Sequence, residues 1–278
     1  MAQNVYRSVS KSRSGPHRND RARPSGLRHG AARGMTDEQL RALKRWIAVL
    51  GLLPLGLVTA LTLVEMFWRA LVRLDFWRSE PLVFFMLGGA AWWLAYLGGL
   101  RPMHTYVFGH EVSHLLMARA FGGKIYDWNH GASGGYVETD KANTWITLAP
   151  YLVPLYALGV MAIFGVAAVF WELNALVTVD ARWFTFSFKP VWLFYVLLGL
   201  TWWFHATYTC KTVALEQSDL QRNGEFFSML LIFLVNVLIL ALLLIAASSS
   251  PGLGLAEVGR CWLATAAALW DFTLGRFW

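Results

Sequence analysis

Five consecutive residues, His110-Glu111-Val112-Ser113-His114, join two metal-binding side chains to one that can move a proton. Residues four apart on an α-helix stand one above the other, so both imidazoles can take positions on one tetrahedral zinc ion while Glu111 faces the adjacent open position. The chemistry requires that arrangement. Zinc brings the pKa of a bound water toward neutrality, the carboxylate accepts its proton, and the nucleophile attacks a carbonyl that the metal polarises. A catalytic zinc site uses three protein ligands and a water, so a third ligand must come from elsewhere in the chain. His205, Thr209, Thr212, Glu216 and Asp219 recur at intervals of four, three, four and three, which on a continuing helix makes one polar stripe with two candidates, His205 and Asp219. The two lie 14 residues apart, or about 21 Å on an unbroken helix. Both cannot hold one zinc unless the helix breaks. For either residue the plainer role is a hydrogen-bond partner of a ligand, or a surface group.

The elements that must position these groups are those of a membrane protein. The chain has 278 residues, 56% of them hydrophobic, 15% charged, with 15 Trp, which is not the composition of an ordinary soluble core. Its charge of +7 is unevenly spread: residues 1–45 hold 11 of the 24 Lys and Arg against Asp20, Asp37 and Glu38. A nucleic-acid-binding fold would spread its basic groups over a folded surface, so no nucleic-acid partner is expected. The two cysteines, Cys210 and Cys261, make neither a disulfide framework nor a zinc ribbon. Ser8–Arg33 mixes Ser, Gly, Pro, Arg and His without apolar periodicity and reads as disordered. The long basic region and the absence of a small-residue cleavage site argue against a secretory signal, so the first apolar run is expected to stay as an anchor.

Uncharged runs long enough for helical spans are Trp46–Val64, Pro81–Leu100, Ala142–Trp171, Pro190–Cys210 and Phe226–Ala256. Pro102–Phe121, which carries the histidine motif, is counted as a sixth. Two histidines and a glutamate within one turn of a span are costly in lipid and so mark a functional site. After Gly123 a glycine cluster separates two β-prone stretches, Lys124–His130 and Tyr136–Thr139, and predicts a short hairpin. Thr178–Phe188 is a second non-helical insert, and Cys261–Trp270, too short to cross, places Trp262, Leu263, Ala266, Leu269 and Trp270 on one interfacial face. The expected fold is therefore an all-α polytopic membrane protein with about six transmembrane helices and a small β-hairpin after the histidine helix. Its parts are a basic cytoplasmic tail (1–45), two N-terminal membrane helices (46–101), a membrane core (102–256) and a C-terminal interfacial helix (257–278).

The motif in a span, the glycine-rich hairpin, the Ala149-Pro150-Tyr151-Leu152-Val153-Pro154 run, and Ser218-Asp219-Leu220 before a long apolar helix together resemble the site-2 protease family of intramembrane zinc metalloproteases. The resemblance covers roughly Pro102 to Ile245. It implies a metalloprotease core in which His110 and His114 are zinc ligands, Glu111 is the catalytic base and Asp219 completes the shell around Zn2+. The family usually has glycine straight after that aspartate and prolines before it, where this chain has Leu220 and Ser218, so His205 stays open as the third ligand. The expected activity is zinc-dependent hydrolysis of a peptide bond in or near the membrane span of a protein substrate. The alternative is a non-catalytic metal-binding scaffold or sensor. A zinc transporter ranks behind both, because the other spans lack the facing ionisable groups it needs. The basic tail places the N-terminus in the cytoplasm, and the retained anchor with short loops suits a bacterial inner membrane.

Overall fold

The computed structural model describes residues 7–8, 35–72, 77–214, 218–247 and 255–273. Most of the Ser8–Arg33 stretch expected to be disordered lies outside the described residues. The protein is 75% helical with two small β-hairpins among the described residues.

Helix α1 (Asp37–Ile47) starts at a capping box: Thr36 Oγ1 accepts from the Gln39 N–H, and the Gln39 side chain accepts in return from the Thr36 N–H. A π-helical turn, Ala48–Leu52, carries it into α2 (Leu53–Val72). The first apolar run is thus embedded in helix that extends beyond it at both ends. Helix α3 (Glu80–Leu97) follows, then α4 (Met103–Ala120), which carries the histidine motif.

Strands β2 (Ile125–Gly131) and β3 (Gly134–Thr139) form the expected hairpin, antiparallel and closed by a two-residue turn. A two-residue strand β1 (Arg7–Ser8) pairs in parallel with the end of β3, Arg7 opposite Glu138.

The run expected to cross as one span, Ala142–Trp171, is broken. Helices α5 (Thr144–Leu152) and α6 (Leu155–Phe170) meet at 72°. Pro154 has no N–H to continue the ladder and disfavours helical geometry in the residue before it, and Val153 is accordingly extended, with φ −108° and ψ 106°.

The second insert is a hairpin too, β4 (Val177–Ala181) with β5 (Phe184–Phe188), and it leads into the 24-residue α7 (Pro190–Val213). The polar stripe that a continuing helix would carry from His205 to Asp219 does not form, because α7 stops at Val213 and Asp219 belongs to a separate short helix, α8 (Ser218–Asn223). Gly224, with φ +87°, turns the chain from α8 into α9 (Glu225–Ala247). Helix α10 (Leu255–Thr273) has 19 residues, longer than the ten-residue segment expected, and lies against α2: Cys261 is buried and Trp262 Nε1 donates to Thr59 Oγ1 at 3.1 Å.

Among the described residues, three helical stretches are long and apolar enough to cross a membrane, Asp37–Arg69, Glu80–Leu97 and Glu225–Leu243, and a fourth if the bent α5–α6 pair is one span. The expected six are not reached by length and composition. Helix α4 carries His104, His110, Glu111, His114 and Arg119, and α7 carries four threonines, His205 and Lys211, which lower their hydropathy.

Two buried clusters hold the helices together. Leu148, Tyr151 and Leu152 of α5 pack with Leu220 of α8 and Leu231 and Ile232 of α9. Trp92 of α3 packs with Phe204 and Tyr208 of α7. Helices α3 and α7 run in the same direction, tied at their starts by Glu80, which accepts from Lys189 Nζ at 2.7 Å and Trp192 Nε1 at 2.9 Å. A Cβ on Gly88 would strike the Val196 carbonyl, and one on Gly199 the Phe85 carbonyl, so two glycines set the closeness of this pair.

Candidate metal centre

His110 and His114 stand one turn apart on α4 and are both buried, with ring centroids 4.9 Å apart. Their Nε2 atoms converge on one oxygen: Asp219 Oδ2 lies 3.6 Å from each. One ligand atom from each of the three residues falls within 4.8 Å of the others. A tetrahedral zinc with bonds of roughly 2.0–2.1 Å would hold its ligand atoms about 3.3 Å apart, close to these contacts. Sequence spacing alone left His205 and Asp219 both open; the break between α7 and α8 brings in Asp219. His205 is not in the group. Its Nε2 is buried without a hydrogen-bond partner among the described residues, and the ring lines a small cavity together with Tyr106, His110 and Tyr208.

The far side of each imidazole is also specified. His114 Nδ1 faces the Ile146 carbonyl at 2.8 Å, so a proton on Nδ1 leaves Nε2 free for a metal. His110 Nδ1 faces the Tyr106 hydroxyl at 3.4 Å, and that hydroxyl is held in turn by Thr212 Oγ1 at 2.7 Å. Asp219 Oδ2 accepts from Tyr151 Oη at 3.5 Å.

Helix α8 is fixed by Asn223, whose amide nitrogen donates to Thr147 Oγ1 at 2.5 Å and whose amide oxygen accepts from Thr144 at 2.8 Å and from Lys44 Nζ at 2.7 Å. Helix α5 starts where Asn143 Oδ1 caps the Ile146 N–H at 2.9 Å, so Asn143 organises the element whose carbonyl orients His114. Asn236 likewise bonds backbone, donating to the Tyr151 and Ile232 carbonyls at 2.9 Å each.

Glu111 is buried beside the histidines, and its Oε1 has no hydrogen-bond partner among the described residues; nor has Asp219 Oδ1. Two buried carboxylate oxygens without protein donors are expensive. Together with the two imidazoles they form a donor set that fits a divalent cation and a water. Strand β3 closes over Glu111 at Gly135, where a Cβ would come within 2.6 Å of Glu111 Cγ and of the Asn129 carbonyl oxygen. On the hairpin surface Tyr136 donates to Asp127 Oδ2 at 2.6 Å, and this bond to a carboxylate raises the phenol above its usual pKa of 10.0.

Tyr106, Tyr151, Gly135 and the Ile146 carbonyl were not singled out from the sequence. Tyr106 had a usable signal, lying four residues before His110 on the same helical face. The Ile146 carbonyl had none, because any backbone oxygen looks like any other in a sequence. Comparison of the chain with family models, with curated proteins and with solved structures finds no match.

Proposed function

We propose that this chain is an integral, multi-pass zinc endopeptidase that hydrolyses a peptide bond in or beside the membrane segment of another protein, with its basic tail on the cytoplasmic side. The observation that carries this reading is the meeting of His110, His114 and Asp219 at 3.6 Å contacts beside the buried Glu111 carboxylate. His110 Nε2, His114 Nε2 and Asp219 Oδ2 are the atoms that would hold Zn2+, which leaves the fourth position for water or substrate. Bound there, zinc would supply Lewis-acid polarisation of the scissile carbonyl and acidification of a water.

The remaining work falls to the protein's own groups. Glu111 accepts the proton of the attacking water as the new C–O bond forms, then delivers it to the departing amine as the C–N bond breaks, so the carboxylate returns to its starting state. Burial of all four side chains keeps bulk water from competing for them. A helical substrate must first surrender its helical hydrogen bonds. Strand β3 lies over Glu111 and, among the described residues, has a partner on the side away from β2 only at Glu138 and Thr139. In this reading the extended substrate backbone pairs along β3, beside the Glu111 carboxylate.

The test measures zinc by elemental mass spectrometry in detergent-purified wild type, His114→Ala, Asp219→Ala and His205→Ala, and cleavage of a membrane-protein substrate by Glu111→Gln. One zinc per chain, lost with His114→Ala and Asp219→Ala and kept with His205→Ala, is the expected pattern. Glu111→Gln is expected to keep the metal and to lose turnover by at least about 100-fold. Bound zinc without cleavage in the wild type would instead favour a metal-binding scaffold or sensor.

A further inference from the structure

The β4–β5 hairpin has an apolar face that is exposed among the described residues. Its register puts Val177 opposite Phe188 and Val179 opposite Phe186, and these four with Phe184 lie on one side of the pleat. The other side is polar, with Thr178 facing Ser187 at 2.9 Å and Thr185 donating to Asp180 at 2.8 Å. At the tip Trp183 is 87% exposed. Phe184 and Phe186 are exposed as well, and the Phe186 ring stacks on its neighbour Phe188, at 5.7 Å. An isolated two-stranded hairpin is marginal in water, and one that also shows a row of phenylalanines to solvent is worse placed still.

The surroundings say what covers this face. The hairpin joins the end of α6 to the start of α7, and among the described residues the surface of α6 leading to it is apolar and exposed, with Val169 77% and Phe170 70% exposed. Trp171 follows, also exposed, an aromatic at the point where a membrane helix leaves the hydrocarbon. The apolar face of the hairpin continues that surface. Its depth is limited by its own backbone, because the outer edges of β4 and β5 carry N–H and C=O groups that hydrocarbon cannot satisfy.

We infer that the β4–β5 hairpin lies in the interface of the lipid bilayer, its Val179–Phe186 face and Trp183 against the acyl boundary and its Thr178–Ser187 face in water. It then anchors the end of α7 remote from the metal centre: Pro190 is at one end of that helix, while Thr212, which holds Tyr106, is at the other. The inference depends on the protein spanning a membrane and is independent of the peptidase reading.

The test is spin labelling in reconstituted vesicles of phosphatidylethanolamine and phosphatidylglycerol. Full-length protein with Cys210→Ser and Cys261→Ser carries one new cysteine at a time: Thr178→Cys, Val179→Cys, Phe186→Cys, Ser187→Cys, and Leu242→Cys as an exposed position on the apolar helix α9. Accessibility to oxygen is compared with accessibility to a water-soluble nickel chelate. The expected result is an oxygen-to-nickel ratio several-fold higher at 179 and 186 than at 178 and 187, with 242 higher again. Equal water accessibility at all four hairpin positions, with 242 in lipid, overturns the inference alone. Shielding of 179 and 186 from both reagents also overturns it and means that a second copy or another protein covers the face. Water accessibility at 242 overturns the membrane reading and this inference with it.

Discussion

At the scale of single residues, the proposed metal centre depends on groups other than its three candidate ligands. Tyr106 links Thr212 to His110 Nδ1, so Tyr106→Phe removes the oxygen that holds the ring from behind while leaving the aromatic packing in place. Zinc affinity is expected to fall about 10- to 100-fold, read by competition with a chromogenic chelator. An unchanged affinity would mean that the 3.4 Å contact contributes nothing to ligand orientation. Gly135 is a second such residue, needed for the space it leaves open. Gly135→Val pushes β3 off Glu111, and turnover is expected to drop about 100-fold with zinc content preserved. Loss of zinc in that variant would place its effect on the ligands instead of the base.

Helix packing sets the next scale. The α3–α7 pair is held by mutual glycine contacts, with a backbone carbonyl of the partner where each Cβ would be. Neither carbonyl can move aside without breaking its own helix, so Gly88→Leu is expected to cost about 1–3 kcal/mol or more. The measurement is the thermal unfolding midpoint in detergent, with Gly159→Leu on α6, which has open space around its Cβ position, as the control. Equal midpoints for the two variants would remove the close approach as a source of stability. The histidine helix and its hairpin were legible because each signal is local: an i, i+4 pair belongs to one helix, and glycines between β-prone runs belong to one turn. The break at Pro154 is absent from the expected spans although Pro154 carries its signal, whereas the expected span ending at Cys210 stops three residues short of the end of α7 at Val213. An uncharged run shows what lipid tolerates and says little about where the backbone bends.

Across the whole molecule, the centre draws on parts distant in sequence. Helix α4 gives two imidazoles, α8 the carboxylate, α5 the carbonyl behind His114 and α7 the hydroxyl behind Tyr106. A metal bound there ties these helices into one folding unit. At free zinc about a thousandfold above Kd, binding to the folded state alone adds about 4 kcal/mol. Treatment with a strong chelator is therefore expected to lower the unfolding midpoint and abolish cleavage together, with zinc restoring both. Departure of zinc with no shift in the midpoint would mean that the helices hold the site without it.

Taken by itself, the sequence determined the parts whose physics is local. Apolar runs long enough for lipid, a basic tail, and His110, Glu111 and His114 on one helical face all follow from composition or from a spacing of four. The tertiary structure decided what depends on distant segments meeting. Asp219 faces the histidines and His205 does not, because the chain breaks between α7 and α8 and Asn223 fixes α8 to α5 and to Lys44 of α1. Tyr151, Gly135 and the Ile146 carbonyl join the site for the same reason. Their positions are set by helix crossings and by a strand lying over Glu111, and such approaches depend on the sum of many contacts, which no short spacing in the chain records.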